Sequence, residues 1–122
     1  MDLNRKKVLF IPLDGVLVEN GNVMDLNFRR DVLEKIRHMN ISRIAIMVEE
    51  SEDKDYFTKI KTVEYFVFVY CKTAVSIHKD NEGVVGEVMG MLPHNIRKKE
   101  TFLSVGCKLD GIDSLSLEDF VK

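Results

Sequence analysis

With 122 residues, 45% hydrophobic and 31% charged content and a formal net charge of -2, the chain suits one compact domain with a small core. Such a balance provides no overall basic field, which disfavours nucleic acid or an anionic membrane as a partner, and the longest apolar run falls far short of the roughly 20 residues of a membrane span. Cys71 and Cys107 come without a signal-peptide pattern, so reduced thiols in a cytoplasmic protein are expected.

The first apolar run, Val8 to Ile11, is rich in branched residues and stops at Pro12, which predicts a buried strand. Asp14 and Gly15 follow. A carboxylate just past the carboxyl end of a parallel strand lies in the crevice where open α/β sheets bind ligands, and Gly15 lets the backbone turn sharply there. Asn20-Gly21-Asn22 has the chemistry of a turn. Asp25 or Asn27 is then placed to cap a helix from Phe28 to Met39, whose inner face is Phe28, Val32, Leu33, Ile36 and Met39.

Ile44 to Val48 reads as a central parallel strand. The acidic run Glu49-Glu50-Ser51-Glu52-Asp53 suits the amino end of a helix, where negative charge complements the helix dipole. That helix is predicted over Asp55 to Glu64, with Tyr56, Phe57, Ile60 and Val63 inward. Phe66 to Cys71 is aromatic and branched throughout and predicts a third strand, followed by a loop holding Thr73, Ser76 and His78.

Val84 to Leu92 has a helical pattern, with Val84, Val85, Val88 and Met89 or Met91 inward, weakened by Gly86 and Gly90 and ended by Pro93. His94 has no companion at ligand spacing and makes no metal case, and Arg97-Lys98-Lys99 reads as solvated surface. Phe102 to Gly106 is a further strand, Ile112 to Leu115 lies along a sheet edge, and Ser116 caps a short helix over Leu117 to Val121. Only Gly106 to Gly111 separate those last two apolar runs, fewer than the dozen residues of an ordinary parallel crossover, so no helix is expected between them. Alternation of strand and helix makes this an α/β protein with a mostly parallel sheet.

Three stretches carry a resemblance: Leu13-Asp14-Gly15-Val16-Leu17, Lys79-Asp80-Asn81-Glu82-Gly83, and Val105-Gly106. In this order they resemble motifs I, III and IV of the haloacid dehalogenase-like phosphatases, and among these the small cap-less polynucleotide 3'-phosphatase and histidinol-phosphatase group. The resemblance implies a single Rossmannoid domain over residues 1–122, three-layer α/β/α, without a cap and truncated near the C-terminus. It implies a general acid/base role for Asp14 and a phosphate-neutralising role for Lys79, with Asp14, Gly15 and Lys79 as the ligand-binding candidates. An inward Lys79 would take Asp14 as its partner.

The departures fall on the remaining roles. Pro12 stands where the family has its aspartyl nucleophile and magnesium ligand, and a proline side chain offers no oxygen. Val48 and Glu49 stand where a phosphate-binding hydroxyl belongs, and paired carboxylates at Glu49 and Glu50 repel a phosphate. Cys107 and Gly111 replace the motif IV acids, with Asp110 and Asp113 out of register. A nucleophilic thiolate at Cys107 is the remaining reactive reading of that position. The expectation is a catalytically inactive domain that binds a protein or small ligand and holds no cofactor, with a homodimer left open. The rival is a divergent magnesium-dependent phosphohydrolase acting on a phosphomonoester, with Asp14 as base or nucleophile and Glu49, Glu50, Asp110 or Asp113 rebuilding the metal site.

Overall fold

The computed structural model describes residues 1–19 and 25–122, so the turn expected at Asn20-Gly21-Asn22 lies outside the described residues. Five strands form one parallel sheet: β1 (Val8–Pro12), β2 (Arg43–Val48), β3 (Ala74–Lys79), β4 (Phe102–Val105) and β5 (Asp113–Leu115), in the order β3-β2-β1-β4-β5. The helices are α1 (Arg30–Arg37), α2 (Lys54–Cys71), α3 (Val84–Met89) and α4 (Leu117–Phe120). No helix among the described residues is long and apolar enough to cross a membrane.

The pleat of β1 sorts the core into two clusters. Leu9 and Ile11 join Val32, Leu33 and Ile36 of α1, Val63 and Val67 of α2, and Phe120 of α4. Val8 and Phe10 join Val84 and Val88 of α3 with Leu92 and Phe102. Both faces of the central strand are thus dry, which explains why its sequence is apolar without alternation.

The largest correction concerns Phe66 to Cys71, which is the last part of α2 and not a strand. Neither glycine nor proline interrupts residues 54–71, so the helical hydrogen-bond ladder runs on. Val63, Val67 and Cys71 recur at one-turn spacing and are buried, while Phe66 stacks on Phe28 at 4.1 Å between ring centroids. Packing at period 3.6 outweighs a strand propensity worth only about 1 kcal/mol across its whole scale. Lys72, at φ 55, ends the helix in the left-handed region. The third strand is instead the stretch predicted as a loop, where the polar residues Ser76 and His78 hide a buried position pattern.

Smaller differences follow the same logic. Phe57 is exposed rather than inward; of Met89 and Met91 it is Met89 that packs against the core; and α3 stops at Met89, ahead of Pro93. Helix α1 is shorter than Phe28 to Met39 and takes neither Asp25 nor Asn27 as a cap; Asp31 Oδ1 accepts the Val32 N–H at 2.9 Å instead. Phe28 pairs with Val18 in an isolated antiparallel bridge. Beyond β4, β5 reaches parallel pairing across Gly106–Ile112 alone, with Leu103 beside Asp113. The return needs no helix because the chain climbs back by only about 7 Å, two residues of strand rise.

Candidate functional site

The chain passes from β1 to β2 on one side of the sheet, and from β3 to β4 it crosses to the other. The topological switch point therefore lies between the carboxyl ends of β1 and β4, where open α/β sheets form their ligand crevice. Asp14-Gly15 and Gly106-Cys107 arrive there from the two strands.

The loop after β1 is tightly built. Leu13 N–H donates to Met47 O at 2.9 Å, Gly15 N–H to Val18 O at 2.8 Å, and Val18 N–H to Leu13 O at 3.1 Å. Leu13, Val16, Leu17 and Val18 are buried, which leaves Asp14 and Gly15 exposed at the turn. Gly15 has φ +83 and Gly106 φ +76, and a Cβ built on Gly106 would lie 2.7 Å from Val16 Cγ2. The two loops are in van der Waals contact only because position 106 lacks a side chain.

Asp14 is held from α2. Its Oδ1 accepts from Lys59 Nζ at 2.5 Å and its Oδ2 accepts from the Tyr56 hydroxyl at 3.1 Å, while that hydroxyl accepts the Glu49 N–H at 3.2 Å. Lys59 is 13% exposed and Asp14 45%, so the ion pair is half-shielded. Burial first, and then the Asp14 charge against the Glu49 N–H bond, leaves the Tyr56 phenol above its ordinary pKa, so the hydroxyl stays protonated and donates.

Lys79 does not join this group. Its ammonium bonds Glu50 Oε1 at 2.8 Å on the exposed surface, which holds the Glu50 carboxyl below and the Lys79 ammonium above their ordinary values. The inward pairing of Lys79 with Asp14 is corrected: each has another partner. Gly83 stands at the N-cap of α3. The acidic run feeds α2 through Asp53, whose Oδ1 accepts the Asp55 N–H at 2.9 Å.

The acids proposed to rebuild a metal site are scattered. Asp113 sits at the amino end of β5, where Lys6 binds it at 2.7 Å and holds its carboxyl below the ordinary value. Asp110 lines a separate hollow of about 800 Å³ with Asp80, Glu82, Lys99 and Lys108. Among the described residues no group of three or more His, Cys, Asp and Glu side chains converges. Cys107 is pushed up to about 11, by burial first and by Asp80 second, which leaves a thiol and not a thiolate at neutral pH. Cys71, in the core behind α1, is likewise raised to about 11 by burial, and both cysteines are free.

No family model, curated protein or solved structure matches this chain. The site therefore stands on its own geometry. The switch-point crevice opens into a cavity of about 410 Å³ lined by Gly15, Val16, Gly106, Cys107, Lys108 and the Ser114 to Glu118 segment, within the size range of small-ligand pockets. The larger hollow toward α3 lacks Gly15, whereas the smaller one contains it and lies where the strand order reverses. Asp14 stands one residue before that lining and is turned instead toward α2; the smaller cavity is the candidate site.

Tyr56 and Lys59 were missed as site residues. Their signal is a helical i, i+3 pair directly after an acidic loop that returns from β2, on the face turned back to β1. A second polar group was also hidden: His78 is buried between Ser76 Oγ, 2.6 Å from its Nε2, and Glu87 Oε1, 2.7 Å from its Nδ1. The alternation Ser76-x-His78 on one strand face is what the sequence offers for it.

Proposed function

We propose that this chain is a haloacid dehalogenase-like domain, three-layer α/β/α and without a cap, that has lost phosphatase chemistry and acts by binding a protein or small ligand in the crevice between β1 and β4. The strand order, the Asp14-Gly15 turn after β1, Gly83 ahead of α3 and Gly106 after β4 all support the assignment. The apolar clusters on the two sides of β1 support the layered arrangement.

The observation that carries the loss of chemistry is the pairing of Asp14 with Lys59 and Tyr56. The resemblance gives Asp14 a general acid/base role, and an ammonium group 2.5 Å from Oδ1 already occupies that carboxylate. Magnesium asks for near-octahedral oxygen ligands, and the residues present do not suit it: Pro12 adds no side-chain oxygen, and Glu50 and Asp113 are bound to other cations. Loss of a covalent nucleophile leaves no acceptor for a phosphoryl group, whatever the remaining electrostatics.

A magnesium titration with a generic phosphomonoester tests this reading, run on the native protein and on Asp14→Asn. Turnover at the uncatalysed rate, independent of metal and unchanged in the variant, is the expected result. Metal-dependent turnover abolished by Asp14→Asn would instead establish the divergent phosphohydrolase.

A further inference from the structure

We propose that two copies of this chain associate across the outer edges of their β3 strands, forming one continuous ten-stranded sheet with the exposed faces of the two α2 helices packed together beside the junction. This inference is independent of what the crevice binds.

Among the described residues no strand pairs with the outer side of β3, which is six residues long and contains no proline. The opposite edge is guarded differently: β5 has three residues, and its first, Asp113, is tied to Lys6. Long unblocked edges are the ones that recruit another strand.

The direction of the free backbone groups follows from one bond. Asp80 N–H donates to Val48 O at 2.9 Å, so Asp80 points its backbone toward β2, as do His78 and Ser76 by the alternation of a strand. Val75, Ile77 and Lys79 then point theirs outward. A two-fold axis normal to the sheet at Ile77 sets Ile77 against Ile77 and Val75 against Lys79, all in the hydrogen-bonded class of antiparallel pair. No like charges oppose one another in this register, and side chains of one face meet those of the same face.

The helix beside that edge supplies the apolar area. Tyr65, Phe57 and Phe68 of α2 are 71%, 61% and 53% exposed, and Tyr65 and Phe68 line a hollow with Val75 of β3. Lys61 and Glu64, which lie among them, are paired at 3.6 Å and bring no net charge to the face. Each aromatic exposes roughly 100–150 Å² of the roughly 150–250 Å² such a side chain can bury. The three together offer roughly 300–450 Å² per copy, about half of the roughly 800 Å² per partner of a standard interface, and Val69 with the strand edge adds to that.

Light scattering across a concentration series, coupled to amide hydrogen exchange, tests the arrangement. The expected result is a species of twice the 14.1 kDa chain mass, with the Val75, Ile77 and Lys79 amides slowing as concentration rises while Ser76, His78 and Asp80 stay protected throughout. Tyr65→Asp with Phe68→Asp, both at exposed positions, should return the chain to a monomer with unchanged circular dichroism. A monomer at every concentration, a dimer whose outward β3 amides exchange freely, or a dimer indifferent to the double variant would each overturn the proposal.

Discussion

Replacing Gly106 by alanine probes the contact on which the crevice is built. The backbone there holds φ +76, and a left-handed conformation costs a residue with a Cβ about 1–2 kcal/mol. The new methyl would also lie 2.7 Å from Cγ2 of Val16, which is buried and branched at Cβ and so has little freedom to swing aside. Overpacking of this kind costs about 1–3 kcal/mol, so Gly106→Ala should destabilise the fold by about 2–5 kcal/mol in total. Val16→Ala alone removes two buried methyl groups and should cost about 2 kcal/mol. In the double variant the clash disappears but the strain in φ persists, giving about 3–4 kcal/mol where simple addition predicts about 4–7 kcal/mol, the difference being the clash itself at about 1–3 kcal/mol. Urea unfolding of the four proteins reads these differences from the midpoints, given equal slopes. Additivity of the two changes would show that Gly106 and Val16 do not touch and would refute the packing of the β1 and β4 loops.

His78→Leu should destabilise by about 1–3 kcal/mol, since Ser76 Oγ is left buried without its partner, whereas Glu87→Gln retains an acceptor and should cost less than about 1 kcal/mol; chemical denaturation compares them. Lys59→Met should change stability by less than about 1 kcal/mol, because Asp14 is half-exposed and keeps its bond from Tyr56. Lys6 depresses the Asp113 carboxyl, so this pair adds stability that is present above the ordinary carboxyl value of 3.8 and is lost as pH falls through the lower folded value. Asp113→Asn should therefore be less stable than the native chain at neutral pH and converge with it in acid, as followed by denaturation at stepped pH.

The parts of the fold legible in the sequence are those where a single period dominates. Val8 to Ile11 and Ile44 to Val48 are apolar on both faces, and with the stretch expected over Phe102 to Gly106 they became β1, β2 and β4 within a residue of their expected bounds. The stretch from Phe66 to Cys71 misled because aromatic and branched residues serve a strand and a helix equally when their contacts lie elsewhere in the chain; Phe28, which stacks on Phe66, is far from it in sequence. Strand β3 was concealed for the complementary reason, since its buried Ser76 and His78 are satisfied by each other and by Glu87 on α3.

The candidate site divides in the same way. Asp14 and Gly15 were visible because strand end, acid and glycine are adjacent in the chain. Their cation was not: Lys59 lies on a helix whose rotation about its axis depends on burying Val63 and Val67, and Lys79 is drawn off by Glu50 on a loop that no local pattern places. Partners across the sheet are fixed by packing, which a linear pattern records only in part.

Isothermal calorimetry of magnesium binding tests the central claim most directly, because it asks whether Asp14 is available to a divalent ion without requiring any substrate. With Lys59 seated on its carboxylate, native protein and Asp14→Asn should give the same featureless heats of dilution at millimolar metal. A saturable isotherm in the native protein that vanishes in Asp14→Asn would contradict the account.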